Sequence, residues 1–314
     1  MAAGTIILTG ANGSLALHAA DYLLKSYPDY HAVFAVRDAA DADPNTQRLR
    51  DIMALYPESQ CSIHQVDHAE LSTVHEFAGS LAASVASGEL PPLKAIICNA
   101  SYWNLVSDPE LTVDGYEKAI QVSHIAHVAL IMRLTGSFSD DGGRIVLFSS
   151  ISHYRRPNFM THLLPVVPDG TDDIVHPAPG DQKQAYGMQR YATGKFLITT
   201  WMYALNRHLQ ENPKSKNITV VAVNPGDLGD SRAFFTNTPY YIQLMFSSIV
   251  RQFLPVFTYL VGANYRSSST AGVDVVELAV NKAHPNEHGY FTMLEKDISD
   301  PITMDRESWR MFKG

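Results

Sequence analysis

Cysteine is scarce in this chain of 314 residues: there are two, Cys61 and Cys98, each in a short apolar run. Two such thiols suggest no disulfide framework, so the expected setting is a reducing one, the cytoplasm. A basic block is lacking as well. The formal charge is −8 and the pI about 5.9. No run of Lys and Arg could neutralise a row of phosphates, which argues against a nucleic-acid partner. The first residues, Met1-Ala2-Ala3-Gly4-Thr5, show no basic segment followed by an apolar one, so no secretory signal is read. Internal repeats and low-complexity tracts are missing.

Long apolar runs are also absent. The richest stretch, Tyr240 to Gly262, is broken by Arg251 and Pro255. Its pieces fall short of the ~18 residues that a spanning helix requires. It reads as a buried or ligand-covering segment, with room for peripheral contact with a membrane surface. His124 and His127 stand three apart on a helical stretch, but no third ligand has suitable spacing, so no metal is expected.

What the chain does have is alternation. Thr5–Thr9, Ala32–Val36, Ser62–Val66, Leu93–Cys98, Arg144–Phe148 and Ile218–Val223 read as buried strands. Between them lie helix-length segments: Ser14–Ser26, Thr46–Leu55, Leu71–Val85, Val113–Phe138 and Gln184–Leu209. This pattern predicts an α/β fold, a doubly wound parallel sheet of Rossmann type with helices on both faces. Ligands of such folds sit beyond the carboxyl ends of the strands. Two segments break the rhythm. Residues 151–183 carry Pro157, Pro165, Pro168, Pro177 and Pro179, and residues 232–266 are rich in aromatics. Both border the expected crevice and read as substrate-covering parts of one domain spanning 1–314: an insertion and a lid.

Polar and small residues collect at the strand ends. Thr9-Gly10-Ala11-Asn12-Gly13-Ser14-Leu15-Ala16 joins the first strand to a helix; small residues there let a pyrophosphate approach the helix amides. Arg37 closes the second strand and points to a 2′-phosphate, while the adjacent Asp38 leaves a ribose hydroxyl open as the alternative. Asp67 follows the third strand, where it can accept from an adenine amine. Asn99-Ala100-Ser101 follows the fourth, with Asn99 able to tie strands together. Ser149-Ser150 ends the fifth, and Asn224-Pro225-Gly226-Asp227-Leu228 ends the sixth, where backbone groups can meet a nicotinamide amide. Tyr191 and Lys195 lie four apart on a helix and therefore share a face. At ~4 Å and an effective dielectric of ~20, the ammonium would favour the phenolate by about 4 kcal/mol, about 3 pKa units. Tyr186 has Arg190 in the equivalent place and is set aside as a possible wall of the pocket. Trp103, Tyr240, Tyr241, Phe246, Phe253, Phe257 and Tyr259 fit either core or substrate wall.

Taken in order, the Gly-rich turn, Asp67, Asn99-Ala100, Ser149-Ser150, Tyr191-x-x-x-Lys195 and Pro225-Gly226 resemble the short-chain dehydrogenase/reductase family over nearly the whole chain. The Ser150–Tyr191 separation and the Gly289-Tyr290-Phe291 ending look like its retinol dehydrogenase and 3-ketosteroid reductase branch, and like fungal natural-product reductases. The resemblance implies NADP(H) as cofactor and a small hydrophobic carbonyl compound as substrate. It makes Tyr191 the proton donor, Lys195 the group that lowers its pKa and bonds the nicotinamide ribose, and Ser150 the partner of the substrate oxygen, with Ser149 second. Gly10, Asn12, Gly13, Ser14, Leu15, Arg37, Asp67, Asn99, Ala100, Pro225, Gly226 and Leu228 would line the cofactor. Four departures stand out. Ser14 and Ala16 replace glycines, Ser101 replaces another, Ser123 replaces the asparagine of the proton relay, and Asp230 replaces a threonine beside the pyrophosphate. A carboxylate is unfavourable there, so Ser231 or Arg232 is expected to take over the contact. The expected activity is reduction of a polyketide, terpenoid or steroid-like ketone or aldehyde. Alcohol oxidation, or a cofactor-binding scaffold without redox turnover, are the rivals.

Overall fold

The computed structural model describes residues 3–157, 161–167, 171–245 and 265–305. In chain order the elements begin β1 (Gly4–Thr9), α1 (Ser14–Ser26), β2 (Tyr30–Val36), α2 (Pro44–Ala54), β3 (Cys61–Gln65), α3 (Leu71–Ala86) and β4 (Leu93–Cys98). There follow α4 (Lys118–Ile120), a π-helical segment (Gln121–Ile125), α5 (Ala126–Leu134), β5 (Gly143–Phe148), α6 (Asp172–Val175), α7 (Lys183–Glu211) and β6 (Ile218–Asn224). The chain continues through β7 (Asp227–Leu228), a 3-10 turn (Arg232–Phe235), α8 (Tyr240–Met245), β8 (Tyr265–Arg266), α9 (Ser268–Ala279), β9 (Gly289–Thr292), β10 (Glu295–Lys296) and α10 (Pro301–Met304).

The central sheet has eight strands in the order β10-β9-β6-β5-β4-β1-β2-β3. All neighbours are parallel except β10, which runs antiparallel to β9. Side chains of successive strand residues leave opposite faces, and the two buried layers follow from that. Ile7, Val33, Ile96, Ile145 and Val220 pack with Val74, Phe77, Leu130 and Met202 of α3, α5 and α7. Ile6, Leu8, Phe34, Ile97 and Val221 pack on the other face with Leu15, Ala19 and Leu23 of α1 and Val275 of α9. The six strands and the helices α1, α2, α3 and α7 expected from periodicity are present, within two residues at each end.

Three differences have local causes. The helix expected over Val113–Phe138 starts only at Lys118. Residues 112–117 form a turn instead, with Gly115 N bonded to Thr112 O and Thr112 N to Tyr116 O, and Glu117 caps the helix through Ile120 N. Gly289-Tyr290-Phe291 is not a mere ending but a seventh parallel strand, β9, against β6. Helix α9, unforeseen, lies against α1 because Gly272 has no side chain: a Cβ there would stand 2.8 Å from Ala19 N. Of the aromatic stretch, Tyr240 and Tyr241 open α8 and are exposed. Phe246, Phe253, Phe257 and Tyr259 lie outside the described residues, as does Pro168 of the earlier segment. No helix among the described residues is long and apolar enough to cross a membrane.

Candidate active site

The parallel strands β1, β4, β5 and β6 deliver Thr9, Cys98, Phe148 and Asn224 to one edge of the sheet, and the polar residues gather beyond it. Gly10 has φ +59°, a conformation costly for any other residue. A Cβ on Gly10 would stand 3.0 Å from Ala100 Cα. Asn99 locks this turn, donating from Nδ2 to Thr9 O at 3.1 Å and Gly10 O at 3.0 Å. Ala100 N donates to Thr9 Oγ1 at 3.0 Å. The side chain of Asn99 and the amide of Ala100 are thus spent on shaping the cradle. Gly13 precedes α1 and no side chain caps that helix, so its first amides face outward, available to an anion. Leu15 is buried in the core, which leaves only its backbone to face the turn. Asn12 Nδ2 reaches Thr46 Oγ1 at 2.9 Å and pins the turn to α2.

Arg37 is exposed at the end of β2. The Asp38 carboxylate accepts from Ala40 N at 2.8 Å in a local turn. Asp67 Oδ1 accepts from Ala69 N at 2.9 Å at the end of β3. Gly226 N donates to Asn224 Oδ1 at 3.2 Å, fixing the turn after β6, and Pro225 and Leu228 are half-buried there. Asp230 accepts from Ser268 N at 2.9 Å and Ser268 Oγ at 2.7 Å. Ser231 Oγ accepts from Ala233 N at 3.3 Å in the 3-10 turn. Arg232 is the residue that crosses to the Gly-rich turn. Its N and Nε donate to Ser14 Oγ at 2.9 and 3.3 Å, and its Nη2 donates to Asn12 O.

Tyr191 and Lys195 do share a face of α7, with Lys195 Nζ 5.5 Å from the phenol ring centroid. The electrostatic expectation needs correcting. Lys195 is buried and donates to Phe148 O at 2.8 Å. Burial pushes Lys195 down to about 8 and Tyr191 up to about 12. Desolvation is the largest cause of both shifts. Ser150 hydrogen-bonds the Tyr191 phenol and lowers its pKa, while the nearby Asp227 carboxylate raises it. Asp227 is itself raised by burial.

Ser150 and Ser149 now separate. Ser149 Oγ is buried and pairs with Thr199 Oγ1 at 2.7 Å. Ser150 is held at the crevice from behind by His153, whose Nδ1 lies 2.6 Å from Ser150 O and whose Nε2 accepts from Asp300 N at 3.1 Å. These contacts make Nδ1 the protonated nitrogen, and burial keeps His153 neutral, at about 4. Ser123 lies in the π-helical segment, a distortion common at functional sites. Its hydroxyl accepts from Tyr102 N at 3.3 Å, and its carbonyl lies 3.3 Å from His127 Nδ1. His127 Nε2 sits 3.0 Å from Thr9 Oγ1. Among the described residues no three His, Cys, Asp or Glu side chains gather as a metal site.

Sequence reasoning missed His153 and did not assign Trp103. The Trp103 ring meets Tyr191 edge-on at 5.7 Å and Phe234 at 5.5 Å. Its Nε1 donates to Ala233 O and Thr236 O, both at 3.1 Å. A tryptophan soon after β4 was the available signal; His153 left none, because its role depends on the distant Asp300. Tyr186 lies at a small separate hollow with Ile120, Val166 and Ile174.

A family model described as the AcuH dehydrogenase domain matches residues 232–310. The chain is 24% identical to a short-chain dehydrogenase, iccH, of Talaromyces variabilis, covering 90% of this chain and 86% of that one. It is 22% identical to protochlorophyllide reductase A of Arabidopsis thaliana, covering 97% and 72% respectively. Among solved structures, a short-chain dehydrogenase from Burkholderia cenocepacia in complex with NADP superposes with a TM-score of 0.61, at 18% identity, covering 91% of this chain and 95% of that one. A Serratia marcescens short-chain dehydrogenase/reductase variant superposes equally well, at 0.61 and 16% identity, covering 93% and 97%. With the parallel sheet, the glycine cradle and the tyrosine–lysine pair on one crevice, these matches show that the chain has the fold of the short-chain dehydrogenases/reductases and is similar to them in sequence over nearly its whole length.

Proposed function

We propose that this protein reduces a ketone or aldehyde on a bulky hydrophobic molecule, with NADPH as the reductant. The observation that carries the reading is Ser150, Tyr191 and Lys195 converging where β5 and α7 meet, beside the cradle at Gly10. The cradle suits a dinucleotide: uncapped helix amides, a turn with little room for a Cβ at Gly10, and cationic Arg232 beside it. Arg37, exposed at the end of β2, suits the 2′-phosphate, and the NADP held by the Burkholderia cenocepacia relative supports the same choice. Asp67, Asn99, Ala100, Pro225, Gly226 and Leu228 complete the proposed cofactor wall.

When bound, the reduced cofactor supplies hydride to the carbonyl carbon. The protein's part is to hold the carbonyl oxygen and deliver a proton to it. Ser150 donates a hydrogen bond to that oxygen as negative charge develops there, a contribution commonly worth ~3 kcal/mol. Tyr191, raised to about 12, is fully protonated at neutral pH and gives up its phenolic proton. Lys195, near 8, is largely cationic at that pH and stabilises the phenolate left behind. A protonated phenol is the form that starts a reduction, and it is the form Tyr191 holds at neutral pH. Ser123, in the π segment, is assigned to the relay that returns a proton. Trp103, Phe234 and Tyr265 supply an apolar wall for the substrate, and residues 151–183 and 232–266 are assigned to covering it.

The test is a panel of polyketide, terpenoid and steroid-like ketones and aldehydes offered with NADPH. Cofactor consumption that depends on one of these compounds is the expected result. Tight NADPH binding with no consumption across the panel would favour a scaffold instead.

A further inference from the structure

We propose that Asp227 is a specificity-determining residue: the carbonyl compound this protein reduces carries a hydrogen-bond donor, a hydroxyl or an amine, that the Asp227 carboxylate accepts. The proposal rests on the reductase reading above and deepens it.

The first observation is placement. Asp227 follows the Pro225-Gly226 turn at the end of β6 and is half-buried. Strand β7 pairs with β8 in parallel register, with Asp227 opposite Tyr265, so the two side chains leave the same face. Tyr265 and Phe234 both pack against Ile242. Phe234 meets the Trp103 ring at 5.5 Å, and Trp103 meets Tyr191 at 5.7 Å. A line of aromatic rings therefore runs from Tyr191 to the residue beside Asp227. The carboxylate is felt at both ends of that line: Tyr191 and Tyr265 are raised chiefly by burial, and the Asp227 charge raises each further.

The second observation is the want of a partner. Other carboxylates that follow strands on this edge are engaged. Asp38 accepts from Ala40 N, Asp67 from Ala69 N, and Asp230 from Ser268 N and Oγ. Among the described residues no donor and no cation meets the Asp227 carboxylate, and burial raises its pKa. Arg266, next to Tyr265 on β8, is spent on Asp274 at 2.5 Å.

The chemistry follows from these two. A half-buried carboxylate with no donor is costly, and more so once a ligand excludes water from it. On a wall otherwise made of rings, it discriminates strongly. A ligand with a matching donor satisfies it, while an analogue lacking the donor leaves it desolvated and unpaired.

Steady-state kcat/KM with NADPH, measured on the full chain, decides the matter. The probes are bicyclic and steroid ketones in matched sets, identical except for a hydroxyl, an amino or a methyl group at successive ring positions. In wild type at least one set is expected to favour the hydroxyl or amino member over the methyl member by about tenfold or more, and the better of the two names the donor. Asp227→Leu should bring that ratio within about twofold of unity. Asp227→Asn keeps an acceptor oxygen without the charge; it should lower the ratio by about threefold or more, and it decides the question if the leucine variant does not fold. NADPH dissociation constants from calorimetry should stay within about twofold of wild type in both variants. A wild-type ratio near unity in every set, or a ratio unchanged in the variants, would overturn the assignment. So would a loss of NADPH affinity, which would give Asp227 to the nucleotide instead. Wild-type protein that reduces no ketone of any set would overturn the reductase reading itself, and this proposal with it.

Discussion

Lys195 is a charge held where water cannot reach it. Its ordinary pKa near 10.5 falls to about 8 because burial penalises the ammonium, and Phe148 O accepts a hydrogen bond from it at 2.8 Å. The stability consequence has a definite sign. Between pH 8 and 10.5 the unfolded chain binds a proton at this lysine that the native state has lost, so stability rises with pH across that window. Below it, the buried cation costs about 3 kcal/mol, the equivalent of that shift. Lys195→Met is therefore expected to gain stability relative to wild type at pH 7, with the advantage shrinking as pH rises from 8 toward 10. Chemical denaturation of the two cofactor-free proteins across that range checks it. The same residue shows why the tyrosine–lysine spacing alone misjudged the energetics. Spacing predicts a shared face, which is found, but not how dry that face is.

At the level of elements, α7 is the part everything else positions. Arg190, one residue before Tyr191, pairs with Glu117 at 3.2 Å with both side chains buried, and donates to Asn104 O and Ser107 O. This fastens α7 to the loop that carries Trp103. The same loop is tied through Ala233 and Thr236 to the turn containing Arg232, so Tyr191 and the Gly-rich turn share one set of supports. Glu117 is raised by burial even with its partner in place. Arg190→Met leaves that carboxylate buried and unpaired, and a loss of about 3–5 kcal/mol is expected from urea unfolding. Adding Glu117→Gln should recover most of it. Without such recovery, Arg190 matters for packing and not for charge.

On the scale of the whole molecule, the fold buries histidines that cannot hold a proton. His68, His124 and His153 are each lowered to about 4 by burial, and His127 further. As pH falls from about 6.5, the unfolded chain takes up protons that the native state refuses, so stability declines well above the carboxylate range. Each of the three costs up to about 3 kcal/mol once fully titrated. The urea midpoint should drop clearly between pH 7 and pH 5; a constant midpoint would mean these rings are wetter than they look.

The sheet was legible because its strands are short apolar runs and its crossovers are periodic, and both signals are local. The shared edge of the strand-end residues was legible because a parallel sheet brings the carboxyl ends of its strands to one side. What escaped depends on distant partners. His153 matters only once Asp300 reaches it, α9 only once Gly272 lets it onto α1, and the Ser149 hydroxyl is seen to be engaged only once Thr199 stands beside it. Helix Val113–Phe138 was overextended because periodicity does not register a turn closed by Thr112 and Tyr116.

The most direct test of the proposed chemistry replaces Tyr191 by Phe and measures, on the same preparation, turnover of a ketone with NADPH and the affinity for NADPH. Loss of the proton donor predicts a fall in kcat of ~10²–10⁴-fold with nucleotide binding within about twofold of wild type. Full turnover by the phenylalanine variant would contradict the account.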